Sequence, residues 1–537
     1  MTEKRQILKS ASVITLITLV SRICGYVRDQ RITLLLGTSV AADSFILAFR
    51  IPNLLRRLVG EGSLSASFIP VFAQYLKNGD EQATWRFANR IFWTVAMVAG
   101  ALSVLGVLFS RWIIYAFTMF GQGPSHWDFA VYLNRMIFPY LFFVALAAVA
   151  MAILNSFHEF AVPAATPIFF NLSVILFSVG AVYKPIMKWA PEPYRNPAVA
   201  LAAGILIGGV LQFLVQVPSL VRRGMRFDFG ISFSDPGIRR VGKLLIPGFV
   251  GIGIYQINFF VDTIFATASR MPRGSITSLY VAERVMELVL GSYAIAISTV
   301  ILPMMSRQAA SRQYDEMKKT FTFSLRLVSF ITVPAAVGLV LLRTPIIQVL
   351  FEHGKFVAES TALAARALLY YALGLPAFAA VKMVVPLFYS TQDTKTPVVV
   401  AGYALAINVF LNVVFLFVFF RVFYNGSPAL ATSSAAYFNF FALLWIFRKR
   451  FGQLGFAAVL ASLGRIAAAA VVMGVGCVAF LKYVSFDPHA HLLSRIGLLA
   501  GAILGAACLY LALAWMLRCE ELAELQSVLR RADRVAA

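Results

Sequence analysis

Charge is what this chain has least of. Only 13% of its 537 residues are charged, and the acidic ones number 24 against 47 basic. With 60% hydrophobic residues and a mean hydropathy of +0.79, a soluble globular domain is excluded. Cysteine is scarce as well. Cys24, Cys477, Cys508 and Cys519 show no paired spacing, so neither a disulfide framework nor a zinc site is implied. His126, His158, His353, His489 and His491 fall in loops or at span ends without metal-ligand spacing. There is no glycine-rich phosphate loop followed by lysine, so ATP hydrolysis is not expected, and the chain reads as neither an enzyme nor a cofactor protein. Sustained apolar–polar alternation is also missing, which removes strands as the main element, since an open sheet leaves its backbone unsatisfied in lipid.

What the sequence has in abundance is hydrophobic runs of about 17–25 residues, each long enough to cross about 30 Å of hydrocarbon as a helix. The expected fold is therefore an all-α polytopic membrane protein. Fourteen transmembrane helices are read at 8–36, 41–75, 84–110, 129–156, 160–183, 197–221, 241–268, 276–305, 317–342, 360–389, 396–422, 428–447, 456–483 and 493–517. The net charge of +23 suggests nucleic acid only at first sight, because the basic residues are spread over short loops between apolar runs. Arg222, Arg223, Arg226, Arg239, Arg240 and Lys243 lie in one such loop. Arg307, Arg312, Lys318 and Lys319 lie in another, and Arg448, Lys449 and Arg450 follow span twelve. All fall on the side of Lys4, Arg5 and Lys9, which the excess of Lys and Arg in cytoplasmic loops assigns to the cytoplasm, with both termini. The basic N-terminus lacks a small-residue cleavage site and is expected to be retained as a cytoplasmic tail.

The chain repeats itself. FRIPNLL around Arg50 matches AERVMEL around Arg284, Pro70 matches Pro303, and NSFHEFAVP ending at Pro163 matches YSTQDTKTP ending at Pro397, at offsets of 233 or 234 residues. Spans one to six and seven to twelve are then two copies of one six-helix unit, related by a pseudo-two-fold axis along the membrane normal. The expected organisation is a first lobe over 1–221, a cytoplasmic linker over 222–240 and a second lobe over 241–450. Spans thirteen and fourteen follow over 451–518, and an amphipathic helix on the inner leaflet over 519–537, acidic at its start and basic near its end.

Against the shortage of charge, the segment 21–61 stands out. It carries Arg22, Arg28, Asp29, Arg31, Asp43, Arg50, Arg56, Arg57 and Glu61 between apolar runs. A charge at bilayer depth costs roughly 2.5–3.5 kcal/mol on insertion scales and normally faces a hydrated cavity or a partner. The excess of arginine over carboxylate points to an anion. Arg22 and Arg28, six apart, project roughly 120° from each other, so they line a wall and do not meet at a point. Snorkelling, or a local pair of Arg28 with Asp29, is the alternative. Arg57 and Glu61 have the spacing of an ordinary helical ion pair. Asp43 follows the presumed outer turn, where capping span two and touching a substrate are equally open. Glu283 and Glu287 flank Arg284 and either neutralise or orient it. Asp262 is the one charge in the apolar part of span seven, and Asn408 and Asn412 stand at i, i+4 on span eleven. Their oxygens suit sodium or a proton, although a helix–helix hydrogen bond needs the same residues.

At SRICGYVRD, AADSF, FRIPNLLRRLVGEGSLSASFIPVF, AERVMEL and KMVVPLFYSTQDTKTP the sequence resembles the bacterial lipid II flippase family (MurJ, formerly MviN) of the multidrug/oligosaccharidyl-lipid/polysaccharide (MOP) exporter superfamily. The resemblance runs from about residue 7 to 517. It implies transport of a lipid-linked peptidoglycan precursor from the inner to the outer leaflet of the bacterial inner membrane, by alternating access between two six-helix lobes. It further implies that Arg22, Arg28, Arg56 and Arg284 line the central cavity, that Asp43 stands at the outer end of span two, and that Arg57 and Glu61 form an inner gate. Asp29, Asn53, Glu283 and Glu287 are taken as their supports. Around Arg284 the chain reads ERVME, where the family often has an aspartate before the arginine, a change that keeps the charge. Arginine suits such a substrate because its planar fork matches two oxygens of a pyrophosphate.

Lipid II and membrane lipids are the expected partners, with other cell-wall synthesis proteins as candidates and nucleic acid excluded. A coupling ion, Na+ or H+, or the membrane potential would supply the drive. Spans thirteen and fourteen, rich in Ala, Gly and Leu, offer either a groove for the polyprenyl tail or plain helix packing. Three other readings remain. An exporter of another lipid-linked oligosaccharide fits the arginines equally. A cationic-drug exporter would line its cavity with carboxylates, and a scaffold without transport would have no use for buried arginines.

Overall fold

The computed structural model describes residues 3–60, 63–121, 127–181, 195–453, 455–484, 486–487 and 490–524; at 3–13, 55, 57–60, 63, 65–66, 246–256, 292–296, 299 and 456–457 it describes the backbone alone. Among the described residues there are helices and turns and no strand. The chain divides into two units. The first takes in Met1–Gln256 with Thr267–Ser269 and His353–Phe356, and the second Ile257–Ala266, Arg270–Glu352 and Val357–Ala537.

The first unit holds α1 (Glu3–Leu36), α2 (Val40–Gly60), α3 (Ser63–Lys77), α4 (Glu81–Leu108), α5 (Ser110–Phe117), α6 (Asp128–Ile137), α7 (Tyr140–Ser156), α8 (Ala161–Gly180), α9 (Pro197–Leu214), α10 (Val217–Arg222) and most of α11 (Pro236–Ala266). Helix α7 is apolar all round and packs against α2, α3, α4 and α9, with Leu141, Val144, Leu146, Val149, Ile153 and Leu154 buried. Lipid is as apolar as a leucine side chain, so contact distance and shape hold such helices together more than exclusion from water does. Gly209 shows how close that contact is: a Cβ there would lie 2.4 Å from the Tyr140 ring. At one end of the unit, Phe68, Phe72, Tyr75 and Phe87 stack, with Phe68–Phe72 centroids 5.0 Å apart and Tyr75–Phe87 4.5 Å. Such pairs contribute about 0.5–1.5 kcal/mol each beyond area burial.

The second unit continues with α12 (Ser275–Ala310), α13 (Tyr314–Phe351), α14 (Ala358–Ser390), α15 (Lys395–Phe417), α16 (Phe420–Phe423), α17 (Ser427–Phe451), α18 (Phe456–Tyr483) and α19 (Leu492–Met516). Helix α14 is the buried one here, packed by α12, α13 and α17. Helices α18 and α19 pack on α13 through Phe330, Ile466, Met473 and Tyr510, whose hydroxyl donates to Phe330 O at 2.8 Å.

Ten helices or consecutive helix pairs among the described residues are long and apolar enough to cross a membrane, so the chain is a multi-pass membrane protein. The helices outside those ten are α1, α2, α3, α5, α11 and α12, and of these α1, α2, α11 and α12 carry the arginines and carboxylates of interest. Of the stretch 41–75 the described parts are α2 and α3, Glu61 and Gly62 lying outside the described residues. One expected span divides. The stretch 129–156 breaks at Phe138 and Pro139, because proline has no N–H to continue the ladder.

The internal repeat has a counterpart in backbone geometry. After α7, Phe157 N–H donates to Leu154 O, His158 N–H to Asn155 O and Glu159 N–H to Leu154 O, with His158 at φ 59°. After α14, Thr391 donates to Phe388 O, Gln392 to Tyr389 O and Asp393 to Phe388 O, with Gln392 at φ 61°. Each position is displaced by the 234 residues of the repeat. A non-glycine residue at positive φ is uncommon, so two at one repeat position extend the match to a helix-terminating motif that the side chains alone conceal.

Candidate functional site

In the first unit, Arg28 is the best-held cation. Its Nε and Nη2 donate to Asp29 Oδ1 at 2.9 and 2.7 Å, and its Nη1 to Asn171 Oδ1 of α8 at 2.9 Å. The guanidinium lies over the Phe170 ring, 5.6 Å from its centroid. Asn171 is itself aimed by donating to Ser21 O of α1 at 3.1 Å. The local pairing of Arg28 with Asp29 is therefore real, but the pair is built into a helix–helix contact, with the arginine side chain 13% exposed. Arg22, one and a half turns earlier, is exposed. Arg31 donates to Ser178 Oγ of α8 at 3.1 Å.

On α2, Arg56 Nε donates to Asn53 Oδ1 at 2.8 Å across one turn. Asp43 is 6% exposed in the first turn of that helix. Ser39 caps the helix, with Ala42 N–H donating to Ser39 Oγ at 3.2 Å. The gate pair falls outside the described residues, since Glu61 is not described and Arg57 is described only as backbone.

In the second unit, Arg284 Nη1 donates to Glu287 Oε2 at 2.6 Å, and the guanidinium sits over Tyr280, 4.8 Å from the ring centroid. Glu287 pairs directly with Arg284, and Glu283 is 4% exposed. Lys382 of α14 is a second cation attracted to Glu287. The sequence reading overlooked it although KMVVP was in view, because a lone lysine at a span's inner half looks like one that snorkels. Asn171 was overlooked too; its one signal was a single amide inside an apolar run.

A separate polar cluster lies deep in the second unit. The Asp262 carboxylate accepts from Thr432 Oγ1 at 2.7 Å, from Tyr371 OH at 3.2 Å, and from the Nδ2 atoms of Asn408 and Asn412 at 3.5 and 3.4 Å. All five residues are at most 5% exposed. The cluster thus satisfies the carboxylate as a plain helix–helix network would, with one exception: Asn412 Oδ1 has no donor among the described residues. Amide oxygen and nitrogen are interchangeable by a half-turn. With both amides rotated, the Asn408 and Asn412 oxygens would join the Asp262 carboxylate and Thr432 Oγ1 in one cluster of oxygen donors, the kind a hard cation takes. No three His, Cys, Asp or Glu residues cluster among the described residues.

Apolar helices that cross a membrane, broken by arginines held in position at depth, define a membrane transporter with the architecture of the MOP superfamily. The fold agrees with a solved multidrug resistance MATE family transporter of that superfamily in an inward-facing conformation, at TM-score 0.68, 13% identity and coverage of 83% of this chain and 98% of that one. It agrees more fully with a solved lipid II flippase MurJ in an inward closed conformation, at TM-score 0.74 and 25% identity, covering 94% and 98%.

The chain belongs to the MurJ lipid II flippase family, whose sequence profile matches residues 32–497. A probable lipid II flippase MurJ of Vibrio cholerae is 36% identical over 453 residues, 83% of either protein. A lipid II flippase MurJ of Burkholderia cenocepacia is 31% identical over 512 residues, 93% of this chain and 95% of that one.

Proposed function

We propose that this protein flips lipid II from the inner to the outer leaflet of the bacterial inner membrane by alternating access, without catalysing a reaction. The observation that carries the reading is Arg28. Its guanidinium is pinned by a carboxylate, an amide and an aromatic face on two different helices. Desolvating a cation at this depth is costly, and an oriented guanidinium needs little reorganisation to take up phosphate oxygens. In this reading Arg22, Arg28, Arg56 and Arg284 bind the pyrophosphate and headgroup with Asp43, Asp29, Asn53, Glu283 and Glu287 supporting them, and Lys382 adds a fifth cation. Arg57 and Glu61 gate the inner side.

The same proposal has fourteen spans, two six-helix lobes (1–221 and 241–450) joined by a cytoplasmic linker, spans thirteen and fourteen (451–518) as a path for the polyprenyl tail, and both termini cytoplasmic. Asp262, Asn408, Asn412 and Thr432 hold the coupling cation, favoured over a purely structural network by the orphaned Asn412 oxygen. Other cell-wall synthesis proteins are partners this reading accommodates without requiring.

Depletion of the protein in cells, followed by labelling of lipid II accessible at the outer leaflet, tests the reading. Complementation by the wild-type chain should restore outer-leaflet lipid II. Arg28→Ala and Arg284→Ala, inserted at normal levels, should leave it trapped inside. Normal flipping by both variants overturns the assignment.

A further inference from the structure

The segment after α10, which the flippase reading leaves as a linker, folds back on the first turns of α4. Phe227 meets Phe92 edge-on at 5.2 Å, Phe229 meets Trp93 at 5.2 Å, Trp93 Nε1 donates to Phe227 O at 3.4 Å, and Arg90 pairs with Asp235 at 2.7 Å. Between segment and helix lies a cavity of about 670 Å³, lined by Glu81, Trp85, Arg86, Asn89, Arg226 and Asp228 among others.

Three features of this cavity point to a ligand. Among the described residues the side chains of Arg86, Arg226, Glu81 and Asp228 have no ion-pair or hydrogen-bond partner, so both signs of charge stand open side by side. Asn89, which lines the cavity, is 4% exposed and its Oδ1 has no donor among the described residues, although such buried oxygens are normally satisfied. The cavity also continues a lipid-facing stripe. Helical steps of three or four run from Arg86 through Arg90, Trp93, Met97, Ala101 and Val104 to Leu108, and from Met97 onward these side chains are exposed and apolar.

We propose that this cavity is a specific site for the headgroup of a phosphatidylethanolamine molecule whose acyl chains lie along the exposed stripe of α4. Arg86 and Arg226 bind the phosphate. The ammonium donates to the Glu81 and Asp228 carboxylates and to Asn89 Oδ1, and rests against the Trp85 and Phe229 rings. The two signs of charge decide the ligand class. An anionic phosphatidylglycerol leaves the carboxylates unmatched, and the methylated ammonium of phosphatidylcholine has no N–H to give. The tryptophans suit a residence at the membrane–water boundary. The site is independent of the flippase reading.

The test uses the full-length protein in an equimolar mixture of phosphatidylethanolamine, phosphatidylglycerol and phosphatidylcholine, with bound lipid counted by native mass spectrometry. Retention of phosphatidylethanolamine should exceed either competitor by about tenfold, the scale of one or two charge-assisted hydrogen bonds. Arg86→Ala with Arg226→Ala should abolish the retention. Glu81→Gln with Asp228→Asn should bring phosphatidylethanolamine and phosphatidylglycerol to parity. All four positions are exposed, so folding is not at stake. Equal retention of the three lipids by the wild-type chain, or unchanged retention in the arginine variant, overturns the site. Displacement by an equal concentration of soluble glycerophosphoethanolamine overturns its assignment to a lipid.

Discussion

Arg28 and Asp393 show what single residues do at the two depths of this protein. At depth, Asn171 orients Arg28, so Asn171→Ala should lower lipid II flipping by about tenfold while Arg28→Lys lowers it at least as much, a lysine being unable to reproduce the three-way fork. Flipping assays on reconstituted protein check both. Outside the spans, Asp393 closes the turn after α14. Burial pushes its carboxyl up, but the Thr396 hydroxyl and N–H and the Arg450 guanidinium outweigh that and hold it below the usual carboxylate range. A depressed folded value means the stabilisation is complete above the ordinary aspartate range and is lost as pH falls through the folded one. Thermal unfolding in detergent should therefore weaken on acidification in the wild type, and Asp393→Asn should remove that part of the dependence.

At the level of elements, the attachment of α18 and α19 depends on one buried carboxylate. Glu521, just past α19, is 1% exposed; it accepts from Ser462 Oγ at 2.7 Å and pairs with Arg326 Nε of α13 at 3.0 Å, while Glu520 takes Arg326 Nη1 at 3.0 Å. Removing one partner of such a pair strands a charge and costs about 3–5 kcal/mol, whereas removing both together costs much less. Arg326→Ala should lower the unfolding temperature and expose the C-terminal end to protease, and Arg326→Met with Glu521→Gln should restore much of the loss. The connection between α1 and α2 is just as constrained. Gly37 sits at φ +59°, and a Cβ there would lie 2.3 Å from Lys355 O, where Lys355 N–H donates to Leu34 O at 2.9 Å. Helix existence was legible from hydropathy and prolines, because both act locally. The re-entry of 353–356 into the first unit was not, since it depends on what each helix end meets.

For the whole molecule, the consequence of the proposed arginine-rich transport site is electrical. Carrying an anion outward from a negative interior is downhill by about 2.3 kcal/mol per charge per 100 mV. Proteoliposomes with an imposed inside-negative potential should flip lipid II faster than depolarised ones when the protein is oriented as in cells, and reversing the potential should slow it. If Asp262 also holds the coupling cation, Asp262→Asn should leave the response to potential and abolish the response to sodium.

Composition, the spacing of prolines and the 234-residue repeat were sufficient to establish a helical membrane protein, and the run from Arg22 to Glu61 was sufficient to locate its unusual charges. These are properties of one stretch of chain in one solvent, which a sequence carries explicitly. Which partner each charge takes was decided only in three dimensions: Asn171 for Arg28, Glu287 for Arg284, and Thr432 and Tyr371 at Asp262, just as Ser39 was found to cap α2. A buried polar group is satisfied by whichever donor or acceptor lies within about 3 Å, and distance through space is the one quantity that linear order leaves open.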